Sequence, residues 1–282
     1  MNNKAYMHDV NTDRISKSEC LICSQESFFI KQANGFSIFN GFSIFKCSAC
    51  GIEYTYPMPS KQKLEEFYSE YFDLRAVDEV VTRNASRNLK FIQSKHEILR
   101  GGGDILDYGC GKNAFINVCR QEGFMNSYGY DQYVDCKNDN FRITDKYQNK
   151  KWDIITMWGV LEHLTAPISQ LVGLKNILSE DGIIGLTTVH IEGFIPYQHK
   201  PPEHTLYFTR ESLYKICKLA GLTILGYHDY YMEQKSDIYL SILHRTMPDK
   251  YQKLISNNMP EFIEIPTNEV FLILGKNKEN YQ

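Results

Sequence analysis

The chain has 282 residues, 43% of them hydrophobic and 23% charged, and a formal net charge of −3. That length suits one full-sized domain with a small appendage, and the near-neutral charge gives no general basic field for nucleic acid. No apolar run reaches the roughly 18 residues of a membrane helix, and MNNKAYMHDVNTDR lacks the apolar core of a signal peptide, so a cytoplasmic location is expected.

The first elements in chain order are two CxxC pairs, CLIC and CSAC, which place Cys20, Cys23, Cys47 and Cys50 at metal-ligand spacing. Each such turn sets two thiolates on one side of an ion, and four thiolates close a tetrahedral zinc site with no open position for water or substrate. The role expected is therefore structural. Cys110, Cys119, Cys136 and Cys217 stand singly and read as free thiols in a reducing compartment. Between the pairs lies a tandem hexapeptide, NGFSIF at 34–39 and again at 40–45. Asn40-Gly41 between two FSIF runs predicts a two-residue hairpin turn with one copy on each strand.

Residues 57–100 carry LEEFYSEYF and RNLKFIQSKHEILR, whose apolar positions recur at three and four, and predict a helical connector ended by Gly101-Gly102-Gly103. From Asp104 strands alternate with helices. The strands expected are 104–109, 126–131, 152–158, 182–189, 223–231 and 268–276; the helices are NAFINVCRQEG, ISQLVGLKNILS and RESLYKICKLAG. This alternation predicts an α/β, doubly wound, mostly parallel sheet. No good helix is legible between the last two strands, which predicts an antiparallel pair at the C-terminal edge. The division expected is a zinc-ribbon module at 1–56, the connector at 57–100 and a main domain at 101–282.

Within that domain ILDYGCGKNAF supplies a strand, a glycine turn and a helix start. Gly109, Gly111 and Ala114 satisfy the dinucleotide pattern. Asp107, two residues before the first glycine, argues for another ligand: a carboxylate there would repel a pyrophosphate but suits the ammonium and sulfonium of S-adenosylmethionine. Asp131, ending the next strand, is an acceptor for ribose hydroxyls in either case.

The chain as a whole resembles the class I S-adenosylmethionine-dependent methyltransferases, in the subgroup with an N-terminal zinc ribbon that includes sugar and natural-product enzymes. The segments that carry the resemblance are CLIC…CSACGIEYTYPMPS…LEEFYSEYF, ILDYGCGKNAF, WDIITMWGVLEHL, LSEDGIIGLTTV and PEHTLYFTRESLYKICKLAGL. It implies a seven-stranded-type, Rossmann-like sheet. It further implies that Asp107, Gly109 and Gly111 contact the methionine part, that Asp131 holds the ribose, and that Trp158, Gly159 and Val160 run along the cofactor. Glu162 and His163 follow in VLEHL, with His163 supporting the cofactor loop. Two departures stand out: Asn113 occupies the place of a third glycine and is a candidate ligand contact, and only 21 residues separate Asp131 from Asp153. FRITD at 141–145 is then a vestigial strand, with Asp145 as a weak candidate for the adenine contact.

Methyl transfer to a hydroxyl benefits from a general base, and histidine is suited to this near neutral pH. His204, following Glu203, is the candidate; an E-H pair is associated with proton abstraction in the zinc-ribbon sugar C-methyltransferases that this segment resembles. Those enzymes have a tyrosine where this chain has Pro201 and extend through a further C-terminal domain, so an oxygen acceptor is expected here. Glu and His as neighbours on a strand would face opposite sides. His190, Tyr197 and His199, in VHIEGFIPYQHKPP, are candidate acceptor-binding residues. The acceptor class implied by resemblance is a small molecule such as a nucleotide- or lipid-linked sugar. A ribosomal-RNA methyltransferase would use the ribbon for RNA, yet residues 18–56 hold only Lys31 and Lys46 against acidic neighbours. A noncatalytic binding protein that kept the fold is the remaining alternative.

Overall fold

The computed structural model describes residues 17–33, 41–74, 77–95, 103–133, 146–193, 199–246 and 259–277. Cys136, Asp145, FRITD and Tyr197 lie outside the described residues.

The N-terminal part is an antiparallel sheet of β1 (Lys17–Glu19), β2 (Glu26–Ala33), β3 (Phe42–Cys47) and β4 (Glu53–Tyr56). Its outer strand β4 pairs with β9 (Leu206–Tyr207), far along the chain. The second FSIF copy forms β3, but its partner is β2, the ladder closing at Ala33↔Phe42. The first copy and Asn40, and with them the turn expected at Asn40-Gly41, lie outside the described residues. The register follows burial: Phe42, Ile44 and Phe45 are buried, and a one-residue slip would turn them outward.

Two helices follow, α1 (Lys61–Leu74) and α2 (Glu79–Lys95). Ser60 starts α1 by accepting a hydrogen bond from the Lys63 amide at its hydroxyl, 3.3 Å. The apolar stripe of α2 packs Leu89 and Ile92 against Ile105, Phe115, Ile154 and Ile183.

Ile105, Ile154 and Ile183 belong to the second sheet. It is built, among the described residues, from β5 (Ile105–Tyr108), β6 (Ser127–Tyr130), β7 (Trp152–Trp158), β8 (Leu178–Val189), β10 (Leu222–Lys235) and β11 (Phe262–Lys276). Spatial order is β10-β11-β8-β7-β5-β6. The strands from β6 to β8 run parallel, and β11 lies antiparallel to both β8 and β10. Helices cover both faces: α2 and α3 (Ala114–Gln121) on one, α4 (Pro167–Ile177) and α5 (Arg210–Leu219) on the other. Period-two alternation explains this, since Val270, Leu272 and Leu274 of β11 face one core while Phe271 and Ile273 face the other. Each such buried side chain contributes about 1.5–3 kcal/mol.

The antiparallel pair expected at the C-terminal edge is present as β10 and β11, but a helix, α6 (Ser236–Thr246), lies between them. It starts immediately after Lys235. Sheet and helices together form an α/β fold with a mixed sheet. The parallel strands end at Tyr108, Tyr130 and Trp158 beside the point where chain order reverses across β5, which is where open α/β sheets hold ligands.

Candidate active site

A cavity of about 720 Å³ opens over these strand ends, within the size range of small-molecule sites. Its lining includes Asp107, Gly109, Gly111, Asp131, Trp158, Gly159, Val160 and His163, and also Glu203 and His204. Candidate cofactor and base residues from four segments of the chain thus meet in one space.

Asp107 is 2% exposed. Its register partner on β7 is Thr156, whose hydroxyl donates to its carboxylate at 2.7 Å. Burial outweighs that bond, and with Asp131 nearby it raises the Asp107 pKa to about 7. Asp131 is the clasp of the loop: its two oxygens accept from the Gly111 amide at 2.9 Å and the Tyr133 amide at 2.8 Å.

Gly109 has φ +81°, and a Cβ there would lie 2.5 Å from Cγ2 of Val160. Both facts forbid a side chain. Gly109→Ala should lower stability by about 2–3 kcal/mol and weaken cofactor binding more than tenfold; melting curves and calorimetry would read this. Wild-type affinity in that variant would show that the loop does not approach the ligand closely.

Asn113 is not part of the cavity lining. It caps α3 with φ 62°, the left-handed conformation that Asn tolerates better than other non-glycine residues. Its side chain is 1% exposed, neither polar atom has a hydrogen-bond partner among the described residues, and a Cβ on Gly129 would come 2.4 Å from its Oδ1. The residue thus replaces a glycine by meeting the glycine's dihedral, with its amide turned toward β6. The indole N–H of Trp158 is likewise buried without an acceptor, and this ring lines the cavity, packed on Phe115 and Phe271.

The VLEHL segment is a single 3-10 turn, Leu161–His163. The Glu203 carbonyl accepts from Nδ1 of His163 at 2.6 Å, which fixes the proton on that nitrogen; the Tyr68 hydroxyl of α1 lies 2.8 Å from it. Glu162 is buried, accepts from the Thr188 hydroxyl at 2.8 Å, and is raised to about pKa 8 by burial, with Glu269 adding to the shift. Burial also raises Glu269.

Glu203 and His204 sit in a turn rather than on a strand, so they do not face opposite sides. Glu203 Oε1 is 3.9 Å from His204 Nε2, and the His163 and His204 rings are 4.7 Å apart. Two of the acceptor-binding candidates, His190 and His199, are not in this lining. His199 is turned toward the N-terminal sheet, with Nε2 2.8 Å from Glu53. His190 bonds Tyr227 at 3.1 Å and lies 3.3 Å from Glu192, and burial lowers its pKa. Tyr197 lies outside the described residues. Sequence reasoning missed Thr156, Glu269, Tyr68 and Lys200, all but the first in the lining. Glu269 alone left a signal, a carboxylate just ahead of the apolar run VFLIL.

A second centre lies in the N-terminal sheet. The Sγ atoms of Cys20 and Cys50 are 3.8 Å apart, those of Cys23 and Cys47 3.5 Å, and those of Cys23 and Cys50 3.7 Å. Four sulfurs at about 2.3 Å from a tetrahedral ion are separated by roughly 3.8 Å. Amides of Ile22, Ala49 and Cys50 point at Cys20 and Cys47 sulfurs at 3.3–3.4 Å. This donor set can hold a metal ion.

Residues 75–226, more than half of the chain, match the family described as "Methyltransferase domain". No curated protein matches the sequence. Among solved structures, a 1,6-didemethyltoxoflavin-N1-methyltransferase of Burkholderia thailandensis, with its acceptor and S-adenosylhomocysteine bound, shares 16% identity and a TM-score of 0.50, covering 87% of this chain and 100% of that one. The cyclase SpnF shares 18% identity and a TM-score of 0.51, covering 78% and 98%. These two likenesses show the fold; since one neighbour is named a cyclase, the fold alone does not fix a reaction.

Proposed function

The chain belongs to the methyltransferase domain family, and we propose that it moves the methyl group of S-adenosylmethionine to an oxygen of a small-molecule acceptor, with His204 as the general base. One observation carries this reading: the acidic glycine loop of Asp107, Gly109 and Gly111 and the Glu203-His204 pair line the same cavity.

Asp107 would face the cationic methionine end, Asp131 the ribose, and the chain from Trp158 to Val160 the length of the cofactor. When bound, S-adenosylmethionine supplies an electrophilic methyl group on a sulfonium. The protein's share is positioning, exclusion of water by α1 and the VLEHL turn, and proton removal from the acceptor hydroxyl by His204. A sugar or a natural-product precursor, nucleotide- or lipid-linked, fits the family resemblance, and a neighbour whose acceptor is a small heterocycle supports a small molecule. Cys20, Cys23, Cys47 and Cys50 would hold a structural Zn²⁺. Among the described residues no helix is long and apolar enough to cross a membrane, in keeping with action in the cytoplasm.

Calorimetry with S-adenosylmethionine tests the reading, and absence of binding at millimolar ligand would defeat it. The buried carboxyl adds a signature. With a pKa near 7 in the free protein, Asp107 is mostly protonated at pH 6 and mostly ionised at pH 7.5. A cation prefers the ionised form, so affinity rises with pH and should be roughly tenfold weaker at pH 6 than at pH 7.5. Asp107→Asn should bind weakly at both values; an equal pH slope in that variant would assign the titration to another group.

A further inference from the structure

The segment that carries His204 is not held by its own domain alone. Thr55 of β4, five residues past Cys50 and wholly buried, makes two bonds to it. Its amide donates to the Thr205 carbonyl and its hydroxyl to the His204 carbonyl, both at 2.9 Å. The Tyr207 hydroxyl, 3.3 Å from Thr55 Oγ1, donates to the same His204 carbonyl at 2.9 Å.

From the other side the VLEHL turn grips the next residue. The Thr205 amide donates to the Glu162 carbonyl at 2.8 Å, and the Thr205 hydroxyl to the carbonyls of Glu162 and Leu164 at 3.0 and 2.9 Å. A further bolt joins the cysteine knuckle itself to this region, the Thr209 hydroxyl donating to the Cys50 carbonyl at 3.0 Å. His204 thus hangs between two clamps, one of them anchored in the four-cysteine sheet.

We infer that the N-terminal four-cysteine sheet is a positioning platform for His204, with Thr55 as the positioning residue. The alternative work for such a module is to recruit a partner, and it would then present its binding face outward. Here the strand after the second cysteine pair is spent inward: Glu53 takes His199, Tyr54 and Glu53 pair with β9, and Thr55 takes the His204 turn. Around the His204 ring stand Glu203, with Oε1 3.9 Å from Nε2, Glu162 within 4.8 Å, and the rings of His163 at 4.7 Å and Tyr207 at 6.3 Å, and these distances follow from where the bonds above fix the backbone.

This inference rests on the reading of His204 as base, and its test separates the two. The full-length zinc-loaded protein would be followed by proton-carbon NMR of the histidine rings, His204 being assigned by the loss of its signal in His204→Asn. Thr55→Val keeps the volume and removes one hydroxyl, and Tyr207 still serves the His204 carbonyl, so the fold should persist. We expect the His204 signal and its titration midpoint to move in Thr55→Val, the His228 midpoint to stay, and Thr55→Ser to restore His204. Affinity for S-adenosylhomocysteine should remain within about twofold, because Asp107 and Gly109 are untouched. An unchanged His204 midpoint in Thr55→Val overturns the inference, even where His204→Ala is inactive. Loss of S-adenosylhomocysteine binding in parallel with the His204 change would also overturn it, by showing Thr55 to be a general structural contact. An active His204→Ala enzyme would instead strike the base assignment.

Discussion

His204→Ala should lower methyl transfer by about 10²–10⁴-fold, the range that a positioned general base contributes, while S-adenosylmethionine affinity changes by less than about twofold. The loss should fall on kcat, since the imidazole acts on the proton that leaves as the acceptor attacks and contributes less to binding either ligand at rest. Cofactor affinity is spared because Asp107 is held by the Thr156 hydroxyl and Asp131 by the Gly111 and Tyr133 amides. The neighbouring imidazole is a poor substitute: His163 has its Nδ1 proton committed to the Glu203 carbonyl, which orients that ring as a support. Measured turnover near the wild-type value would assign proton removal elsewhere, with Glu203 the next group to replace. A drop shared equally by kcat and cofactor affinity would mean that the ring shapes the cavity rather than moves a proton.

What the sequence made legible was local. ILDYGCGKNAF states its own geometry because strand, glycine turn and helix start lie within eleven residues, whereas the expected ligand contact of Asn113 failed because its left-handed backbone turns the side chain away from the cavity. The strand-helix alternation from Asp104 gave the sheet because it, too, is local. What escaped was long-range. The Thr156 bond to Asp107 spans 49 positions, the Tyr68 contact with His163 spans 95, and the Thr55 bond to His204 spans 149. No periodicity encodes such pairings; they exist only once β7 lies beside β5 and β4 beside β9. His199 illustrates the cost. Its place in the loop after β8 suggests the acceptor pocket, yet Glu53 on the N-terminal sheet, 146 positions away, turns it aside.

Removal of a metal bound at the four-cysteine site is expected to carry the other large effect. The sulfurs already stand near tetrahedral spacing, and apparent binding energies of structural zinc sites reach about 10–16 kcal/mol in small modules, so with an ion bound most of the local stability of β1 to β3 would depend on it. The buried core offsets part of this, because Ile22, Phe45, Ile52 and Tyr54 pack in the same cluster as Leu206, Leu213 and Ile216. A net loss of about 5 kcal/mol is expected to lower the melting temperature by roughly 10–20 °C in a chain of this size. Chelation and Cys20→Ser should agree, and elemental analysis of the untreated protein should give one zinc per chain. The sheet cannot loosen without releasing Thr55 and Thr209, since both bonds start from residues at or just after the second cysteine pair. Hydrogen exchange after chelation should therefore accelerate in 199–209 as well as in 17–56, while 105–130 stays protected. Acceleration confined to the N-terminal strands would mean that the His204 segment stands without its platform, and an unchanged melting temperature would mean that the four cysteines hold no structural ion.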